Sequence, residues 1–226
     1  LGTSLLQAVG SMPVVMRLLA GVQILTWVGI YVLFLYLPTA IALNVLGAAN
    51  KQSTEYIHGV EWAGICIATY NLVCLGASLL IPIASRWWGR VTTHALCLMA
   101  GCIGFLSLLV IHSRYPLLLA MVGIGFAWAG ILSIPYDLLM EELSESESGI
   151  YMGLFNGFVT LPQIAMSLGF GWVMRHFLDG NRLWALGFGG LFLGFAAILM
   201  LRLPEPKPRA DQTNAASKTD FVSVNR

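Results

Sequence analysis

Six apolar runs, each long enough to cross a lipid bilayer as a helix, constrain this chain more than any other feature of its sequence. A hydrocarbon core about 30 Å thick takes roughly 20 helical residues to cross. Runs of that length fall at about 18–43, 60–85, 92–111, 115–139, 150–174 and 183–201. The formally charged side chains inside them are Glu61, at the start of the second run, and Asp137, near the end of the fourth; His94 lies near the start of the third. Lipid offers no partner to a backbone N–H or C=O, so each run is read as a helix rather than as the shorter, alternating strands of a membrane barrel. The predicted fold class is an all-α membrane protein with six transmembrane helices.

Composition narrows the partners. With 58% hydrophobic and 10% charged residues and a mean hydropathy of +0.79, too little charge is left to clothe a water-soluble domain of this length. A net charge of +1 supplies no dense basic face to replace counterions along phosphates, so nucleic acid is excluded as a partner. Cys66, Cys74, Cys97 and Cys102 all fall inside apolar runs without a CxxC pair. They read as small buried hydrophobes, and neither a disulfide framework nor a metal or cofactor site is expected. The first residues show no basic n-region followed by a short apolar stretch and a cleavage site.

Lys and Arg in alternate connections set the expected orientation. With a cytoplasmic N-terminus the inside segments hold Arg17, Arg86, Arg90, Arg202, Lys207, Arg209, Lys218 and Arg226, and the outside loops hold Lys51, Arg114, Arg175 and Arg182, a split of 8 to 4. Residues 1–17, interrupted by Gly10 and Pro13, read as a linker or membrane-surface segment of a longer chain. Residues 18–203 form the six-helix domain, and 204–226, rich in Pro, polar and charged types, read as a disordered cytoplasmic tail.

A polar or aromatic group recurs near mid-span: Trp27 in the first helix, Tyr70 and Asn71 in the second, Trp128 in the fourth and Gln163 in the fifth. Transporter sites sit near the bilayer midplane. Gln23, Trp27 and Tyr31, spaced by four, offer the amide and flat rings that a neutral sugar needs, although any one of them alone is more often core than site. In the fifth helix Gly149, Gly153 and Gly157 share an arc with Asn156, Thr160 and Gln163. Such a face is expected to point into a bundle, as a packing seam, a site wall, or both at different depths. Pro38, Pro82, Pro135 and Pro162 kink or end their spans. Asp137, near the cytoplasmic end, fits an interfacial or gating acid better than a midplane proton carrier. Arg86 and Arg90 are its possible partners, Tyr136 is its neighbour, and Glu141, Glu142, Glu145 and Glu147 read as a solvated acidic loop.

Several of these segments carry a resemblance. Arg86-Trp87-Trp88-Gly89-Arg90 resembles the shortened loop signature that major facilitator proteins carry after the second helix of each half, without its leading Gly and Asp. The stretch Ala127–Tyr136, then Gly149–Asn156 and Leu161-Pro162-Gln163, resembles the tenth and eleventh helices of sucrose and maltose permeases, a group related to the glycoside-pentoside-hexuronide family. Gln23-Ile24-Leu25-Thr26-Trp27 looks like the opening of their seventh helix. The resemblance spans roughly residues 15–203 and implies the C-terminal half of a major facilitator bundle. It also implies uptake of a disaccharide or related glycoside by proton symport through alternating access, with a separate N-terminal half as partner and no enzymatic activity. Leu37–Leu43 departs from the plant members, which carry a charged cluster there. Two rivals remain: a six-helix scaffold or channel working as a homodimer, and an intramembrane serine protease built on Ser78 and His94, whose depths match poorly.

Overall fold

A computed structural model describes residues 10, 12, 14–142 and 148–205. The remaining parts of the expected surface segment and tail, and Glu145 and Glu147, lie outside the described residues. The described residues form six helices, each long and apolar enough to span a membrane, and the chain is a multi-pass membrane protein.

Helix α1 spans Val14–Ala40 and continues as a π-helical turn, Ile41–Val45. Pro38 removes one N–H from the ladder just before the register widens. Helix α2, Thr54–Trp88, opens on Ser53, whose hydroxyl accepts from the Tyr56 N–H at 3.2 Å, and closes at Gly89, φ +81°. Helix α3 starts at once, Arg90–Ser107. Helix α4 is Leu117–Glu142, α5 is Ser148–His176 and α6 is Arg182–Met200, the last capped by Asn181, whose side chain accepts from the Leu183 N–H at 3.0 Å. Helix α3 ends four residues before its apolar run does, because Leu108, Leu109 and Val110 turn back with three-residue hydrogen bonds while the sequence stays apolar to Ile111.

The largest helix contacts are α1 on α6, α3 on α4, α2 on α4 and α3 on α6, so α3, α4 and α6 form the middle of the unit. Helix α5 packs chiefly on α1, through Met166, Phe170 and Met174 against Val32 and its neighbours. Burial is correspondingly uneven: 22% of the most apolar window of α2 and of α5 is buried, against 50% or 56% in the other four. The expectation that the α5 glycine face points into this bundle is corrected here. Among the described residues, nothing lies within 4 Å of a Cβ built at Gly149, Gly153 or Gly157. The buried arc of α5 is the Met166–Phe170–Met174 arc, and the glycines lie roughly 100–180° around the helix from Met166 at about 100° per residue. The four cysteines are free thiols, Cys74 being the one that is half-buried.

Candidate functional site: an aromatic wall and a polar stripe

Helices α1, α2 and α4 bring their mid-span aromatic residues together around Trp128. Its ring meets Trp27 edge-on with centroids 6.0 Å apart, Phe34 at 5.7 Å and Tyr70 at 6.5 Å. Tyr31 meets Phe34 at 6.2 Å. These distances fall in the range of attractive edge-to-face pairs, and the cluster gives three helices a common wall. At the edge of the wall, Tyr31 Oη lies 2.8 Å from Ser167 Oγ, which ties α1 to α5. Asn156, Thr160, Gln163 and Ser167 follow at spacings of four, three and four, and so form one polar stripe along α5. Nearer the Asp137 end, Tyr136 Oη donates to Asn156 Oδ1 at 3.4 Å, and the Tyr136 ring contacts Phe155 at 5.3 Å.

The structure therefore joins Trp27, Tyr31, Tyr70 and Trp128 in one cluster, and joins Tyr136 to Asn156. Asn71 and Gln163 stand apart in a different way: each folds onto its own helix, Asn71 Nδ2 donating to Ile67 O at 2.8 Å and Gln163 Nε2 to Val159 O at 3.0 Å. Gln23 belongs elsewhere. It is 1% exposed, and its amide atoms, with Thr26 Oγ1 and Trp27 Nε1, are buried without a hydrogen-bond partner among the described residues. Gln23 is thus closed off inside the unit, and Trp27 offers its ring to Trp128 rather than its N–H to the open side. Two residues were missed from sequence. Phe34, 45% exposed, lies three residues past Tyr31 on the same side of α1, and Ser167 continues the α5 stripe four past Gln163; allowing a helical step of three as well as four would have found both.

At the other end of α4, Arg90 collects three carboxylates. Its guanidinium reaches Asp137 at 3.2 Å, Glu141 in direct contact, and Glu205 at 3.8 Å. Glu205 also accepts from the Arg90 and Val91 backbone N–H groups at 2.7 and 3.0 Å, so a carboxylate caps the positive end of α3. Gly89 makes room for it: a Cβ there would stand 2.8 Å from Glu205 Oε2. Of the two arginines read as partners of Asp137, Arg90 fills the role. Arg86 is exposed and forms no ion pair among the described residues. Glu141, read as solvated, is also corrected, because Arg90 holds it.

Arg90→Ala would leave three acids together with no cation between them. Removing one partner of a fully buried pair costs about 3–5 kcal/mol, and exposure of Asp137 and Glu205 discounts this to about 1–2 kcal/mol here. A fall in thermal stability of the purified protein, restored in part by Arg90→Lys, is the expected result; unchanged stability would show the cluster to be idle.

Nothing joins the Ser78 and His94 of the protease reading. Ser78 Oγ donates to Leu75 O at 2.7 Å, while His94 of α3 is buried beside Gly130 of α4, its ring nitrogens without a partner among the described residues.

No protein-family model matches the chain. Among curated proteins the chain is 26% identical, over 214 residues, to the sucrose transport protein SUC4 of Arabidopsis thaliana. The match covers 83% of this chain and 41% of that protein, so the chain spans less than half the length of the relative.

Proposed function

We propose that the chain is the C-terminal six-helix half of a sugar transporter of the major facilitator type, moving a disaccharide or related glycoside by alternating access with protons as the coupling ion. The observation that carries this reading is the Trp128-centred aromatic wall joined to the polar stripe of α5 by the Tyr31–Ser167 bond. A sugar ring has apolar C–H faces that stack on aromatic rings and a rim of hydroxyls that need donors and acceptors. Both kinds of surface meet here within otherwise apolar spans. Pro162, beside Gln163, lacks the N–H that would bond Phe158 O, which frees a carbonyl at the same level.

The thinly buried helices α2 and α5 support the second element of the reading, a six-helix N-terminal half packed on the open side. Leu72, Leu75 and Leu79 on α2 and Leu161 and Leu168 on α5 are exposed in the isolated unit. The Arg90 cluster then lies at the cytoplasmic end, with both termini on the cytoplasmic side of a cell membrane, and would act as a gate whose ion pairs form in one state and part in the other. The chain is read as a carrier and not as an enzyme. The same open faces would also accept a second copy, as a scaffold or channel would require.

Uptake decides between these. In a full-length parent protein, Gln163→Ala is expected to cut labelled sucrose or maltose uptake several-fold, with membrane insertion intact; about 1 kcal/mol of lost hydrogen bonding corresponds to roughly a fivefold loss. Uptake at the parental rate would remove the α5 stripe from the site.

A further inference from the structure

The opposite flank of the unit carries a different kind of surface. Trp62 and Asn71 are nine residues apart on α2, which at about 100° per residue puts them on opposite sides of the helix, while Trp62 and Leu80, eighteen apart, share one side. On the Trp62 side, two apolar recesses of about 210 and 550 Å³ meet at Ala100 and Phe126. The first runs along Leu80 and Ala84 to Trp88, and the second runs between α3 and α4 to Ile111 and Pro116. The hydroxyls in their walls are turned away: Thr93 Oγ1 donates to Gly89 O at 2.6 Å and Ser107 Oγ to Gly104 O at 2.7 Å. A groove with its few polar atoms already bonded, lying along a membrane span, suits hydrocarbon and repels a polar solute.

Its α3–α4 end is charged. Arg114 lies in the turn between two residues that line the second recess, Ile111 and Pro116. Its guanidinium stands 4.8 Å from the Tyr115 ring centre and 5.6 Å from that of Trp62, and donates to Tyr115 Oη at 3.0 Å. Its own carbonyl accepts from Trp62 Nε1 at 2.9 Å. The side chain is thus held in place, yet the ion pairs among the described residues involve only His58 and Arg90, so no described carboxylate neutralises it. Helix α4 begins three residues later with no acidic side chain in its first turn, which adds the positive end of a helix to the same spot.

We propose that this flank binds a phospholipid, its phosphate on Arg114 at the start of α4 and one acyl chain in the groove past Ile103, Leu119 and Phe126. The charge complementarity selects the headgroup: a fixed, unneutralised guanidinium at the mouth of a dry slot matches an anion that carries a hydrocarbon tail. A sugar would find no hydroxyl partners in the slot, and a free anion would make no use of it.

Native mass spectrometry of the purified chain tests this with three probes: dioleoyl phosphatidylglycerol, dioleoylglycerol with the same chains and no phosphate, and glycerol 3-phosphate with no chains. Phosphatidylglycerol is expected to be retained and the other two lost. Arg114→Gln should weaken that retention roughly tenfold, as the loss of one charge-assisted contact implies. Ile103→Trp, at a position 63% exposed and so tolerant of bulk, should weaken it too by filling the groove. If Arg114→Gln loses its helical content, Ile103→Trp carries the decision. Equal retention of phosphatidylglycerol by wild type and both variants, equal retention of dioleoylglycerol, or saturable binding of glycerol 3-phosphate alone would each overturn the proposal.

Discussion

Trp128→Ala, in a full-length parent protein, is expected on the proposed sugar-transport reading to lower disaccharide uptake by about thirtyfold, equivalent to about 2 kcal/mol, while the protein still inserts. The magnitude follows from what the indole touches. Edge-to-face pairs contribute about 0.5–1.5 kcal/mol each beyond simple burial, and Trp128 makes three of them, to Trp27, Phe34 and Tyr70. Its removal takes away both a stacking surface and the hub that orients the other rings. Trp128→Phe retains a ring and should lose less. Trp184, exposed on α6 and outside the cluster, provides the control: Trp184→Ala should transport normally. Equal loss in both tryptophan-to-alanine variants would mean that general fragility, not the wall, accounts for the effect.

Glycine substitutions should show opposite signs on two faces. Helix α1 meets α6 at Gly29 and Gly189, where each Cβ position stands 2.7 or 2.6 Å from the other residue's carbonyl oxygen. A methyl group there must push backbone apart, and Gly29→Ala is expected to cost about 2–3 kcal/mol by overpacking. On α5, Gly153→Ala and Gly157→Ala meet nothing within 4 Å among the described residues. In the isolated chain each should instead stabilise by about 1 kcal/mol, because glycine is the poorer helix former. With a partner half packed on that face the sign should reverse. Thermal unfolding of the chain alone and of the full-length protein, side by side, reads all of this; destabilisation by Gly153→Ala in the chain alone would contradict the open face.

The six spans were legible because lipid enforces them: a long apolar run has no option but a helix. Their ends were less so, since hydropathy reports depth and not backbone state, as the turn after Ser107 shows. Mid-span depth grouped Trp27, Tyr70 and Trp128, whose rings the structure brings together, with Asn71 and Gln163, which bond to their own helices. It could not separate Gln23 from Phe34. Eleven residues apart, the two differ by only about 20° around α1, yet one is 1% and the other 45% exposed, because other helices close over α1 at one level and not at the other. Periodicity gives the azimuth of a side chain but not the neighbour that meets it. The α5 glycines fail for a related reason, since a small-residue face signals close approach without saying which chain approaches. The Glu205 cap on α3 joins residues 115 positions apart and left no local mark.

The central claim is that the Trp128 wall and the α5 stripe form half of a sugar path completed by another six-helix unit. Reconstitution tests it most directly: vesicles carrying this chain together with an N-terminal six-helix half, vesicles carrying either alone, and labelled sucrose outside. Uptake only where both halves are present, abolished by Trp128→Ala, is the predicted result. Uptake by this chain alone, or none with both halves correctly inserted, would contradict the account.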